Sequence, residues 1–417
     1  MKALHLLPSE ERDLYFRTAA DESRLAVEII EKDFWVIWTL NRLFSLDGLK
    51  DHLTFKGGTS LSKVYRIIER FSEDIDLSIE KDFLGFDDER DPEKAPSTKK
   101  QRAAIDNLKV ACSAYVTKNL LPTLQSAIAQ TLGTASGWKL LVDEEDRDRQ
   151  TLLFEYPSKT KPGGYIRPFV KIEIGARAEH WPVSQHKVQS YAKETLKDRM
   201  IEQETSVRVL NAERTFWEKA TILHQYAHLP DDKPVPPRIS RHLYDFFCLL
   251  RSQIKTIALE QNILLERVAN HKTIYFHSAW AHYDTARKGT LRLSPPQRIH
   301  ADLEGDYKLM DEMFFGPKPG WKELLTAIGK FEREFNGVPL ESKIIVNGRE
   351  RITTELELSY DDFVKLAFEN PPNGPNVLFT ITFRNGPVQN QEGTLIGGHS
   401  VYVKSQMIFN VTATDKS

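Results

Sequence analysis

The sequence predicts an α+β protein: a mixed sheet with flanking helices, then a helical region, then a small strand-rich domain at the C-terminal end. Three observations lead there. Strand signals flank a glycine pair and a helix, and the second strand opens on two aspartates at i and i+2. Helical periodicity runs from about Thr205 to about Phe335. After Asn336-Gly337 the pattern changes to short alternating strands around one helix. At 417 residues the chain is too long for one core. The expected division is 1–204, 205–336 and 340–417. With 57 Lys and Arg against 59 Asp and Glu, the net charge of −2 excludes a globally basic nucleic-acid binder, so any RNA contact must use local patches. Cys112 and Cys248 supply neither a disulfide framework nor a zinc-ligand spacing. Met1 to His5 lacks a signal-peptide core, and no run of about 18 uncharged apolar residues occurs. The expectation is a cytoplasmic protein with no membrane partner.

Ser9-Glu10-Glu11-Arg12 reads as a capped helix start that continues through Leu14, Phe16 and Ala19. A second helix covers roughly Ser23 to Phe44, with Leu25, Ile29, Phe34, Ile37 and Leu40 on its buried stripe. Leu53 to Phe55 is a strand, and Gly57-Gly58 follows it. A helix is expected from Thr59 to about Arg70. Its core face is Leu61, Val64, Tyr65 and Ile68, and Lys63, Arg66 and Arg70 form a basic stripe at i, i+3 and i+7. Glycines let backbone N–H groups approach an anion, and a helix starting behind them turns its positive end to a phosphate. Arg70-Phe71-Ser72-Glu73 then leads into a strand on which Asp74 and Asp76 share one side, while Ile75 and Leu77 enter the core. Paired carboxylates repel unless a cation lies between them. Mg²⁺, an oxygen-liganded ion commonly shared with phosphates, is the natural occupant. Capping or solvation of a strand end is the plainer use for the same two residues.

Residues 81 to 102, charged and carrying Pro92 and Pro96, read as an exposed loop or insertion. A long helix from about Gln101 to Leu132 is expected to break or bend at Pro122. Strands follow at Lys139–Val142, Thr151–Tyr156 and Pro168–Ile174. In the last, Val170, Ile172 and Ile174 face one side and Phe169, Lys171 and Glu173 the other. Arg177, just past its end, is placed to meet a phosphate or to pair with Glu179.

From about Thr205 to Leu250 the pattern reads as helical. Ala212, Phe216, Leu223 and Tyr226 form an apolar stripe with Lys219 in its middle, and Asp245 is embedded in Leu243-Tyr244-Asp245-Phe246-Phe247. A lysine on a buried stripe must find an anion. A Lys219–Asp245 pair joining two helices meets that need, though such pairs often add little net stability. His224, His228 and His242 show no ligand spacing with acids, and a helical surface accounts for the first two. Asp231 to Arg238 is a proline-rich loop; further breaks come at Pro295-Pro296 and Gly316 to Gly320. Near the end, Lys343–Val346 is a strand and Asn347-Gly348 a favoured hairpin turn. Ile352, Thr354, Leu356, Leu358 and Tyr360 then alternate, and Asp361–Glu369 is a helix stopped by Pro371-Pro372. Strands return at Val377–Phe383, His399–Val403 and Met407–Thr412. This ββαββ order is that of a β-grasp, the ubiquitin-like fold.

GGTSL at 57–61 followed by RFSEDIDLS at 70–78 resembles the nucleotidyltransferase toxins of the AbiEii/AbiGii type, members of the polymerase β-like nucleotidyltransferase superfamily. The Glu31-Lys32-Asp33-Phe34-Trp35-Val36 segment resembles the one that precedes the glycine motif in those proteins; for Asp33 a charged helix face beside an aromatic anchor is the preferred reading. FWEKATILH and RHLYDFF resemble the family's later motifs. The resemblance implies a polymerase β-like sheet and a catalytic set of Asp74, Asp76, Lys219 and Asp245, with residues 205–336 completing the active site. Asp74 and Asp76 would hold Mg²⁺ with Glu173 as third carboxylate, unless Glu173 is an ordinary exposed glutamate. It implies that Gly57, Gly58, Thr59, Ser60 and Ser72 contact the phosphates of an NTP. Lys63, Arg66, Arg70 and Lys219 would balance its charge, and Asp245 would orient Lys219 or the nucleotide. Thr380 to Pro387 and the ending Met407 to Ser417 resemble bacterial multiubiquitin domains, without a terminal Gly-Gly; the internal Gly397-Gly398 reads as a turn.

The implied function is transfer of a nucleoside monophosphate from an NTP to an acceptor hydroxyl on RNA, the tRNA 3′ end foremost. The setting is toxin–antitoxin or phage defence, with a cognate antitoxin and ubiquitin-like pathway proteins as further partners. Two other readings stand beside it. One is a nucleotidyltransferase acting on a protein in a ubiquitin-like conjugation pathway. The other is a non-catalytic ubiquitin-like interaction protein.

Overall fold

The apolar stripes near the amino terminus become the helices Ser9–Ser23 and Val27–Leu43. The second is buried almost throughout, and its Trp35 and Trp38 pack on Phe154 and Tyr156 of the sheet region. The structure, a computed structural model, describes residues 3–134, 136–158, 167–339, 341–374, 377–387 and 390–415. The chain divides into two units. One comprises Met1–Glu218, Ser252–His277 and Asp311–Lys318; the other comprises Lys219–Arg251, Ser278–Met310 and Pro319–Ser417.

In the first unit, seven strands among the described residues form one mixed sheet. They are β1 (Leu53–Lys56), β2 (Asp74–Ile79), β3 (Lys139–Val142), β4 (Thr151–Glu155), β5 (Phe169–Gly175), β6 (Val183–Val188) and β7 (Thr205–Leu210), in the order β3-β4-β5-β2-β1-β7-β6. β2 lies at the centre, antiparallel to β1 and parallel to β5. Ile75, Leu77, Val170, Ile172 and Ile174 all enter the same hydrophobic core, so the alternation read from the sequence sets which face of each strand is polar.

Four expectations need correction here. The helix behind the glycines spans only Gly57–Lys63 and does not reach Arg70. Arg66 takes a left-handed conformation (φ 53°), and the chain then returns to start β2 beside β1. Lys63, Arg66 and Arg70 therefore form no stripe, and a helix of seven residues offers little positive end to a phosphate. Residues 205–210, read as helical, are β7; Thr205, Val207 and Val209 are buried while Ser206 and Arg208 alternate with them. Residues 81–102 hold short 3₁₀ turns at Asp82–Leu84, Asp88–Arg90 and Pro92–Lys94 before the helix Thr98–Tyr115 begins at its Ser97 cap. The long helix does not break at Pro122. It widens into a π-helical turn at Val116–Leu120, where the Leu121 N–H reaches back to the Val116 carbonyl, and Leu121–Leu132 carries on. The wider turn makes room for a proline that has no N–H to give.

The second unit ends in a five-stranded mixed sheet. Its strands are β8 (Ser342–Val346), β9 (Arg349–Thr353), β11 (Val377–Arg384), β12 (Gly393–Leu395) and β14 (Ile408–Asp415), with β10 (Glu357–Ser359) and β13 (Ser400–Tyr402) paired separately. β14 runs parallel to β8 and antiparallel to β11, and the helix Tyr360–Ala367 packs Phe363 on Phe409. This is the expected β-grasp. Asn347 and Gly348 both have positive φ (51° and 74°), as a two-residue type I′ hairpin demands. Gly397-Gly398 is a turn. Position 340 and the closing residues 416–417 lie outside the described residues.

Candidate active site

Register places the charges. β1 pairs Lys56 with Asp76, and β2 pairs Asp76 with Glu173 and Asp74 with Lys171. Because Ile75, Leu77, Ile172 and Ile174 are buried, Asp74, Asp76, Lys171 and Glu173 share the opposite face. This face opens into a cleft of about 510 Å³ whose lining includes Lys56, Asp76, Thr151, Lys171, Glu173 and Arg177. Acidic residues of the β3–β4 loop, Asp143, Glu145, Asp146 and Asp148, form another wall.

The glycine pair fits against this face. Gly57 has φ +80°, and a Cβ built there would lie 2.0 Å from the Asp76 Oδ2. Only glycine lets that carboxylate close on the backbone. A Cβ on Gly58 would lie 2.9 Å from both Arg70 Nη2 and Ser72 Oγ. Arg70 and Ser72 therefore sit directly behind the pair. The hydroxyls of Thr59 and Ser60 are committed inside the loop. Thr59 donates to Ser72 Oγ (2.9 Å) and the Asp74 carbonyl, and Ser60 donates to the Gly57 carbonyl (2.8 Å). Both residues are fully buried, so they brace the glycine turn. Lys63 and Arg66 turn elsewhere. Lys63 is buried against Asp33 (2.8 Å) and over the Tyr191 ring, and Arg66 reaches Glu194 (3.0 Å).

Asp33 is thus no exposed helix charge. It is buried, pairs with Lys63 and accepts from the Tyr191 N–H (2.6 Å), and burial raises its carboxyl despite these partners. Lys32, equally buried, donates to Glu73 and to the Arg167 carbonyl (3.0 Å). The sequence signal for both was visible: three consecutive charges on a helix whose neighbours are nearly all apolar. Arg177 does not pair with Glu179. It donates to the Tyr275 carbonyl (3.4 Å) and lies over Phe276, while Glu179 binds Arg214 and Arg267.

Glu173 lines the cleft with its side chain partly exposed. Burial alone would raise its carboxyl, but the hydrogen bond and charge of Lys171 (2.7 Å), with Asp76 and Lys56, hold it below the ordinary glutamate value. Lys56 and Lys171 were not singled out from the sequence. The same strand alternation that selects Asp76 and Glu173 selects them too.

In the second unit Lys219 Nζ donates to Asp245 Oδ2 (2.8 Å) and lies 2.9 Å from His242 Nδ1. Asp245 is wholly buried. The pair anticipated from the two apolar stripes is present. His224 is also wholly buried and belongs to no helical surface: its Nε2 donates to the His282 carbonyl (2.9 Å) and its Nδ1 accepts from the Arg292 N–H (2.9 Å).

For a divalent cation, the donor chemistry of the sheet face fits: all three candidates offer carboxylate oxygens, the ligands of a hard ion. The glycine without a Cβ gives Asp76 its room. Among the described residues no three His, Cys, Asp or Glu side chains are gathered closely enough to ligate an ion together. No helix of the described residues is long and apolar enough to cross a membrane.

A glycine turn closed on a strand carboxylate that lines a cleft suits the class that the family model gives, a nucleotidyltransferase. The family model described as nucleotidyl transferase AbiEii toxin, type IV toxin–antitoxin system, matches residues 38–327, and the chain belongs to that family. Residues 342–415 match the multiubiquitin domain. No curated protein matches. Among solved structures, the nucleotidyltransferase toxin MenT4 from Mycobacterium tuberculosis H37Rv is similar at 15% identity and a TM-score of 0.39, covering 77% of this chain and 97% of that one. So slight a likeness carries no argument. Family membership makes the chain a nucleotidyltransferase toxin, with an NTP as substrate class and an antitoxin as partner class.

Proposed function

We propose that the chain transfers a nucleoside monophosphate from an NTP to a hydroxyl of RNA, at the tRNA 3′ end, with Mg²⁺ held at Asp74 and Asp76 and Glu173 beside them. The carrying observation is the row Lys56–Asp76–Glu173 across three strands, closed by Gly57 in one cleft. In the reaction the acceptor oxygen bonds to the α-phosphorus, the bond to the bridging oxygen breaks, and pyrophosphate leaves as the hydroxyl proton passes to water. A bound divalent ion supplies charge neutralisation on the phosphates and lowers the pKa of the attacking hydroxyl. The protein's own part is positioning. Gly57 and Gly58 bring backbone N–H groups close to the phosphates. Ser72 and Arg70 back the pair, and Lys56 stands at the cleft with no ion pair among the described residues. Thr59, Ser60 and Lys63 act by holding the loop.

For Lys219 and Asp245 the support is the sequence resemblance together with their own buried pair. Lys219 balances phosphate charge, and Asp245 holds Lys219. The nucleotide and RNA substrates place the reaction in the cytoplasm, in a defence role checked by an antitoxin. The multiubiquitin domain favours a second acceptor class, a protein hydroxyl. Incubation with each α-labelled NTP and separated total RNA and total protein tests both. Label in tRNA supports the proposal; label in protein alone replaces the acceptor; label in neither contradicts transfer.

A further inference from the structure

We propose that Lys171 takes the place of one cation in the carboxylate site, so that the cleft binds a single divalent ion through Asp74 and Asp76 while Glu173 serves to hold the lysine. The inference rests on the reading of these carboxylates as a metal site. Parallel pairing of β2 with β5 makes a square of side chains on one face, with Asp74 beside Lys171 and Asp76 beside Glu173. Lys171 and Glu173 also lie at i and i+2 of β5, and their charged ends meet at 2.7 Å. Glu173 therefore already has its counter-cation.

On the strand face the three carboxylates stand against Lys171 and Lys56, so Lys171 removes one unit of the negative charge that a second cation would need there. The acids of the β3–β4 loop line another wall. Glu173 meets Asp76 as well as Lys171, so the lysine sits within the carboxylate set.

Mn²⁺ binding without nucleotide, read from the free-ion signal in electron paramagnetic resonance, tests this directly. Wild type is expected to bind one ion. Lys171→Met frees Glu173 and is expected either to admit a second ion or to tighten the first by at least about tenfold, the effect of one like charge removed at a few ångström. Lys171→Arg keeps the charge and is expected to match wild type. Lys171→Gln serves as a second neutral variant should the methionine variant melt early. Two ions in wild type, or unchanged or weaker binding in both neutral variants, overturns the inference. Absence of Mn²⁺ binding from wild type and every variant, or binding that survives Asp76→Ala, overturns the metal-site reading itself.

Discussion

Gly57 meets two demands at once. Its φ of +80° is costly for any side chain, and a Cβ would lie 2.0 Å from the Asp76 carboxylate. Gly57→Ala is expected to lose transfer and to destabilise by about 1–3 kcal/mol, measured by labelled-NTP transfer and denaturant melts. Normal activity in that variant would mean that Asp76 need not close on the loop. Lys219 poses the complementary question. It lies on a buried stripe beside Asp245, so Lys219→Met takes the cation away from a wholly buried carboxylate, at a cost of up to about 3–5 kcal/mol. The double variant Lys219→Met with Asp245→Leu removes both charges and is expected to recover its melting temperature yet remain inactive. Recovered transfer would make the pair a packing device and remove Lys219 from the reaction.

His224, on the helix Ala212–Ala227, ties that element to the segment around His282 and Arg292 through both ring nitrogens. Burial first, then the neighbouring charges of His228 and Arg292, lowers it from an ordinary 6.5 to about 3. The sign follows from linkage. Between these values the unfolded chain takes up a proton that the folded chain refuses, so stability falls as pH drops from 6.5 towards 3. His224→Gln should flatten that limb in melts taken across the range; an unchanged slope would show that the ring is not held neutral. Such ties also mark what could be read in advance. Strand alternation exposed Asp74, Asp76 and Glu173, and the apolar stripes exposed Lys219 with Asp245, because burial leaves a periodic trace. The end of the glycine helix left no such trace. Leu61, Val64, Tyr65 and Ile68 keep helical spacing, but the chain must turn at Arg66 to bring Arg70 and Ser72 behind Gly58, a tertiary demand. β7 was hidden by the strongly helical residues that follow it.

On the scale of the molecule, the ubiquitin-like sheet is fastened to its own unit. Arg333 of the helix Trp321–Asn336 is buried and donates to Pro339, Ser342 and Glu355, and the wholly buried Glu332 accepts from Leu293, Ser294 and the Tyr402 hydroxyl. Deleting residues 340–417 takes away Ser342, Glu355 and Tyr402 together. The truncated chain is expected to melt several degrees lower, since each stranded buried group costs about 1–3 kcal/mol. An unchanged melting temperature would show the domain to be a detachable passenger. The β-grasp has a core of its own, Ile344, Phe363, Phe409 and their neighbours. Its order of strands and helix was legible from short strand runs, the Asn347-Gly348 turn and one helix; the alternation at Ile352 did not mark a core position, since that side chain is exposed. The account as a whole stands on nucleotidyl transfer at the strand carboxylates. Its most direct test is a single-turnover assay with α-labelled NTP and total tRNA, comparing wild type with an Asp76→Asn variant shown to melt at the same temperature. The account predicts labelled tRNA with wild type and a loss of at least about a thousandfold with the variant; labelling at equal rates by the two would contradict it.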